Sequence, residues 1–266
     1  MSRQPLVTSP RARRVLTATA TAVALAGAAL FNTGEGTAGS STPQTDRNIP
    51  NLDQVKTEIE AYYGDVETEN GEHYASPDSS YAKQVRRIED QIRRSLNQAA
   101  VNEADGKPAL VVDVDDTTLL MYNFERRIGY DFTGRAQDKY LESTDANPVF
   151  GMPALVNRAH DKDIAVFFVT GREEYQRDWS VRNLKKAGYD VPVDKEHFFL
   201  DNTNNPPPYL ECGSECTTVE YKSGTRKHIE SRGYDILANV GDQYSDLKGG
   251  YADKTFKLPN PMYYIP

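Results

Sequence analysis

Cysteine is scarce: Cys212 and Cys216 are the only two in 266 residues. No further ligands at metal spacing lie near them, which excludes a zinc motif built on this pair. Positive charge is also in deficit, with 31 Lys and Arg against 39 Asp and Glu and a formal net charge of −8. A chain lacking a basic footprint is not a general binder of nucleic-acid polymers. Glycine (18) and proline (15) show no excess, so collagen-like and low-complexity architectures are excluded, and no internal repeat is visible. The one long apolar run, Val15 to Phe31, has 17 residues interrupted by Thr17, Thr19 and Thr21. That is short for the ~30 Å of a bilayer's hydrocarbon.

What is present at the beginning is a basic start (Arg3, Arg11, Arg13, Arg14), this apolar stretch, and small residues around Ala26, Ala28 and Ala38. The pattern reads as a secretion signal over residues 1–38, so the chain is expected to be secreted, without a stable membrane anchor after cleavage. Arg13-Arg14-Val15-Leu16 is similar to a twin-arginine export motif, and no cysteine near the run offers a lipid attachment point. Loss of residues 1–38 would leave a net charge of about −11. Any anionic substrate must then be held by local devices: a metal, a lysine or backbone N–H groups. An oxidising compartment would also favour a local Cys212–Cys216 disulfide.

Residues 39–50 read as a Ser/Thr/Pro/Gly-rich linker, and 51–266 as one domain. Leu52, Val55, Ile59 and Tyr62 fall at helical spacing behind a candidate N-cap, Asn51. A second helix is expected over Tyr81 to Val101, with Arg86, Arg87, Arg93 and Arg94 on a solvated face. Four short apolar runs follow: Ala109 to Val112, Ile164 to Val169, Phe198 to Leu200, and Ile236 to Val240. Helices are expected between them over Pro153 to His160, Glu173 to Ala187 and Thr225 to Arg232. Apolar strands alternating with helices indicate an α/β fold with a parallel sheet covered on both faces. Ligands in such sheets bind beyond the carboxyl ends of the strands.

Three of the four runs end in residues of catalytic type. Asp113-Val114-Asp115-Asp116-Thr117 follows the first, Thr170-Gly171-Arg172 the second, and Gly241-Asp242 through Asp246 the fourth. Asp-x-Asp alone carries little, since Asp161-Lys162-Asp163 fits it as a solvated turn. Carboxylates directly after a buried strand are costly unless a cation or proton compensates them. A hard divalent cation with oxygen ligands, Mg²⁺ above all, relieves that cost. Thr170 and Gly171 offer a hydroxyl and a closely approachable backbone N–H to a phosphate oxygen. Lys222, just before the expected third helix, supplies a cation, with Arg226 and Lys227 as rivals for that role. These are the parts that phosphoryl transfer needs.

The combination resembles the haloacid dehalogenase (HAD) superfamily, in particular the secreted acid phosphatases of subfamily IIIB (class B/C, four-aspartate type). The resemblance rests on the four motifs in order and on Leu258-Pro259-Asn260-Pro261-Met262-Tyr263 near the end. It implies a Rossmannoid parallel sheet with a small cap insert and N-terminal helices. It further implies an Mg²⁺-dependent acid phosphatase working through an aspartyl phosphate. By this resemblance Asp113 is the nucleophile and Asp115 the acid and base, while Thr170, Gly171 and Lys222 bind phosphate. Asp113, Asp115 (through its main-chain carbonyl), Asp242 and Asp246 serve the metal. An acid optimum and a homodimer through the N-terminal helices are further implications. Two positions depart from the family pattern: Asp116 stands where Glu is common, and Asn123 is the nearest candidate for an asparagine that usually follows the first motif.

The expected substrate is a small phosphorylated metabolite. Tyr122, Phe124, Tyr130, Phe132, Tyr140 and Phe150 lie between the first two motifs, where aromatics either stack on a nucleotide or pack the core. A non-catalytic storage protein and a phosphotransferase on the same scaffold are the competing functions. The four histidines (His73, His160, His197, His228) match no nucleophile or zinc pattern and read as structural or surface residues.

Overall fold

Strands buried on both faces have no solvent side, so their residues are apolar in succession and not in alternation. The computed structural model describes Pro43, residues 45–99 and residues 106–265. The expected secretion signal, 1–38, and the tip of the expected second helix lie outside the described residues. Before Pro50, the start of the main compact unit, lies a 3₁₀ turn at Asp46–Asn48.

The main unit opens with α1 (Leu52–Tyr63), whose first turn is capped by Asn51 Oδ1 accepting from the Gln54 N–H at 3.1 Å. A small hairpin, β1 (Val66–Glu67) and β2 (His73–Tyr74), leads into α2 (Ser80–Ala99). The first sheet strand is β3 (Lys107–Val112). An insert then holds β4 (Leu119–Leu120), α3 (Tyr122–Ile128), α4 (Gly134–Ser143), β5 (Asn147–Pro148) and α5 (Met152–His160). Next come β6 (Ala165–Glu173), a 3₁₀ turn, α6 (Arg177–Lys186) and β7 (Phe198–Asp201). The chain finishes with α7 (Thr218–Ser231), β8 (Tyr234–Gly241), α8 (Tyr244–Leu247) and β9 (Thr255–Lys257).

The sheet runs β7-β6-β3-β8-β9, every pair parallel. Leu110, Val112, Val166, Phe168, Ala238 and Val240 pack on one face against α2, α5 and α6 through Val85, Ile92, Val156 and Leu184. Ala109, Val111, Phe167, Val169 and Ile236 pack on the other against Tyr221 and Ile229 of α7. This is the expected α/β sheet with helices on both faces, an insert between the first two motifs, and helices ahead of the first sheet strand.

Three boundaries and one strand differ from the sequence expectation. The second strand does not stop at Val169 but runs to Glu173, so the helix expected from Glu173 begins at Arg177. The third long helix begins at Thr218 and not Thr225: the Thr217 hydroxyl accepts from the Glu220 N–H while Glu220 accepts from the Thr217 N–H, a capping box. Lys222 therefore sits inside that helix and not before it. β9 was not expected at all. Cys212 and Cys216 are joined, with Cα atoms 5.0 Å apart, closing the turn that enters α7.

Candidate active site

Register brings the acids together. Val112 pairs with Phe168 on one side and Val240 on the other, so these three stand at one level, where β3 ends and β6 runs on to Glu173. Beyond that level the Asp113 N–H still donates to the Val240 carbonyl at 3.0 Å, which sets Asp113 beside Gly241 and Asp242. The turn after β3 is held by Thr118, whose hydroxyl donates to the Asp113 and Val114 carbonyls, both at 3.1 Å. Gly241 is required here. A Cβ at that position would stand 2.4 Å from the Asp246 Cβ.

Carboxylate oxygens of Asp113, Asp242 and Asp246 lie within 4.8 Å of one another, all three residues buried. Lys222 Nζ donates to Asp113 Oδ1 at 2.6 Å and to Asp246 Oδ1 at 2.5 Å. Asp246 Oδ2 accepts from the Gln243 N–H at 2.8 Å. Asp242 Oδ2 accepts from Gln243 Nε2 and Asn260 Nδ2, both at 2.7 Å, and Oδ1 from the Thr117 hydroxyl at 3.2 Å. Of the rival cations, Arg226 donates to the backbone carbonyls of Asp246, Lys248 and Gly250. Lys227 is exposed.

Asp115 is treated differently. Its carboxylate takes Arg172 Nε at 3.0 and 3.2 Å and Arg172 Nη2 at 2.6 Å. Arg172 is fully buried and donates its remaining nitrogen to the Ser180 hydroxyl at 2.9 Å. Thr170 is buried, its hydroxyl oxygen accepting from the Arg172 N–H at 3.2 Å, so the hydroxyl proton is left for another acceptor. Gly171 has nothing within 4 Å of where a Cβ would stand. Asp113, Asp115, Thr170, Gly171, Lys222, Asp242 and Asp246 all border one cavity of about 290 Å³.

Electrostatics show what this site lacks. Burial pushes the Asp113 carboxyl well above the usual range, Lys222 pulling it back and Asp246 and Asp242 pushing it further up. Burial and then Asp246 raise Asp242 to about 6, against the hydrogen bonds from Asn260 and Gln243. Burial alone would lower the Lys222 ammonium, but Asp113 and Asp246 outweigh it and hold it above its ordinary value. One lysine does not neutralise three buried carboxylates. The donor set is all oxygen, without histidine or cysteine, and fits a hard divalent cation such as Mg²⁺.

Several residues here escaped the sequence reading. Arg172 was visible only as the tail of a motif. Asn260 and Tyr263 come from the last turns of the chain: Tyr263 donates to Asp116 Oδ2 at 2.8 Å, and Asp116 Oδ1 accepts from the Met121 N–H at 3.0 Å. Asn123 does not reach the cavity. It accepts from the His73 N–H at 3.0 Å and donates to Glu72, which fixes the hairpin and not a substrate. Of the aromatics between the motifs, Tyr122 and Tyr140 are core, whereas Phe124 and Phe132 border the cavity.

Residues 40–266 match the family described as HAD superfamily, subfamily IIIB (acid phosphatase). The chain belongs to that subfamily. With membership goes its activity class, phosphoric monoester hydrolysis. Acid phosphatase 1 of Solanum lycopersicum is 32% identical over 189 residues, 70% of this chain and 69% of that protein. Vegetative storage protein 1 of Arabidopsis thaliana is 28% identical over 225 residues, 82% of this chain and 75% of that one. The class C acid phosphatase from Bacillus anthracis shares the fold at TM-score 0.60 and 19% identity, covering 80% of this chain and 86% of its own.

Proposed function

We propose that the chain is a secreted, Mg²⁺-dependent acid phosphatase that hydrolyses small phosphate monoesters through an aspartyl phosphate on Asp113. The observation that carries the reading is Asp113 itself: a buried carboxylate at a strand end, fixed by Lys222 and facing a cavity bordered by Thr170 and Gly171. Asp113, Asp242, Asp246 and the Asp115 carbonyl would hold the ion, which when bound supplies positive charge against the phosphate oxygens.

Asp113 attacks phosphorus and the ester oxygen departs, taking a proton from Asp115. Asp115 Oδ2 accepts only from Arg172 Nε, so it is the oxygen with capacity left for that proton. The Asp115 carboxylate then takes a proton from water as the water attacks the phosphoaspartate, releasing phosphate and restoring Asp113. Thr170 and the Gly171 N–H hold phosphate oxygens, and Lys222 neutralises charge as it develops. An acid optimum belongs to the same proposal, since the ester oxygen must be protonated as it departs. Borohydride added during turnover should convert Asp113 to homoserine, detectable by mass spectrometry. Steady phosphate release with Asp113 unmodified would remove the covalent intermediate.

Export directed by a signal over residues 1–38 would place the Cys212–Cys216 disulfide in an oxidising compartment, where such bonds persist. A storage role, suggested by the names of some relatives, predicts no phosphate release with or without EDTA; a phosphotransferase would pass phosphate to added glycerol. A homodimer through α1 and α2 belongs to the same proposal, and the mass in solution tests it.

A further inference from the structure

The phosphate chemistry sits on the strand ends and α7, but one acid in the same cavity comes from the insert. Glu125, the fourth residue of α3, is 3% exposed and borders the cavity with Met121, Phe124 and Phe132. Each aspartate around it has partners: Lys222 for Asp113 and Asp246, Arg172 for Asp115, Tyr263 for Asp116, and Asn260 with Gln243 for Asp242. The Glu125 carboxyl has neither a hydrogen bond nor an ion pair among the described residues. Burial, with the Asp115 charge beside it, pushes this group up to about 7. The carboxyl borders the cavity with no protein donor, so only water can satisfy it there, and a ligand that supplies an N–H or O–H takes over that bond where a hydrocarbon ligand would leave it unmade.

With the phosphoryl group held by Asp113, Thr170, Gly171 and Lys222, the insert side of the cavity is left for the alcohol portion of the ester. We infer that Glu125 reads the leaving group, accepting a hydrogen bond from an N–H or O–H on the alcohol. Esters of amino alcohols and polyols are thereby favoured over those of purely hydrocarbon alcohols. The aromatic and thioether groups around Glu125 pack the carbon chain, and the carboxyl takes its polar end. The inference rests on the phosphomonoesterase reading and names its substrate class.

The test compares three esters of equal length, 2-aminoethyl, 2-hydroxyethyl and propyl phosphate, on the Mg²⁺-loaded full chain at a pH above 7, where the Glu125 carboxyl is ionised. The quantity read is the kcat/KM of each donor-bearing ester divided by that of propyl phosphate. A hydrogen bond satisfying a buried carboxyl should make this ratio about tenfold or more in the wild type. Glu125→Leu should bring both ratios toward one. Glu125→Gln, an uncharged acceptor, should keep the hydroxyethyl preference and lose most of the aminoethyl preference, which separates hydroxyl from ammonium recognition. Wild-type ratios near one, or ratios that survive in Glu125→Leu, overturn the inference while leaving the phosphatase intact. No turnover of any ester, including an aryl phosphate, overturns both. Thermal melts of the two variants exclude misfolding as the cause of a lost ratio.

Discussion

Asp113-Val114-Asp115 and Asp161-Lys162-Asp163 share one pattern, and the fold treats them in opposite ways. The first follows β3, and its carboxylates meet Lys222 and Arg172, Asp113 buried and Asp115 partly so. The second follows α5 and is exposed throughout; Asp161 ends the helix through its N–H on the Asn157 carbonyl at 2.8 Å, and Lys162 reaches Asn97. Each stretch has a left-handed aspartate at its end, Asp163 (φ 60°) within the pattern and Asp116 (φ 54°) one residue past it. What differs is the preceding element. A buried strand delivers carboxylates where charge is undersolvated and therefore responsive to a cation or a phosphoryl group, whereas a helix end in water leaves them screened.

The largest effect that separates the two stretches is Asp113→Asn, which should cut turnover of an aryl phosphate by about 10⁴-fold or more in a folded protein. Asp161→Asn should stay within about twofold, as a surface change away from the cavity. Equal losses would break the comparison. Next comes metal removal: EDTA should lower activity by about 10²-fold or more, with Mg²⁺ restoring it. In the stripped protein Asp242→Asn should melt a few degrees higher than wild type, because burial and Asp246 penalise its charge. A lower melting point would show that the carboxylates are not in conflict.

Arg172→Lys should keep the charge but lose the two-nitrogen grip on Asp115, lowering kcat by about tenfold with less effect on KM. A KM effect alone would reassign Arg172 to substrate binding. A pH effect on stability follows from Glu125, raised from its ordinary 4.5 to about 7. A carboxyl with a raised folded value contributes stability that is fully present below 4.5 and lost as pH rises through 7. Melting temperature should therefore fall over that window by the equivalent of up to about 3 kcal/mol. Glu125→Gln should flatten the slope; an unchanged slope assigns the effect elsewhere. The smallest effect is at Asp163, where Asp163→Gly should stabilise by up to about 1 kcal/mol by relieving the left-handed backbone. Asp116→Gly, with the same relief, should destabilise because the bonds from Tyr263 and Met121 are lost.

The sheet was legible because each central strand is an apolar run ending abruptly in Asp, Thr-Gly or Gly-Asp. β9 was not, since three half-exposed edge residues leave no apolar run. The start of α7 was written in Thr217 and Glu220, but its weakly apolar first turns hid it. The four aspartates could be named in advance because they follow apolar strands, whereas Lys222 was singled out from two rival cations as preceding a helix that in fact encloses it. Arg172 could not be named, since an arginine after a strand looks like surface until Asp115 and Ser180 are seen around it. Asn260 and Tyr263 were beyond reach, because Tyr263 is 147 positions from the aspartate it bonds and only the folded register joins them.

The late arrival of Asn260 has a consequence for how the molecule matures. A nascent polypeptide already contains the four aspartates and the lysine of the site before Asn260 has left the ribosome, yet Asp242 lacks one of its two amide ties until Asn260 docks. Competence for catalysis should therefore wait until Asn260 has docked. A product clipped just ahead of Leu258 would fold its sheet and still hold the ion loosely.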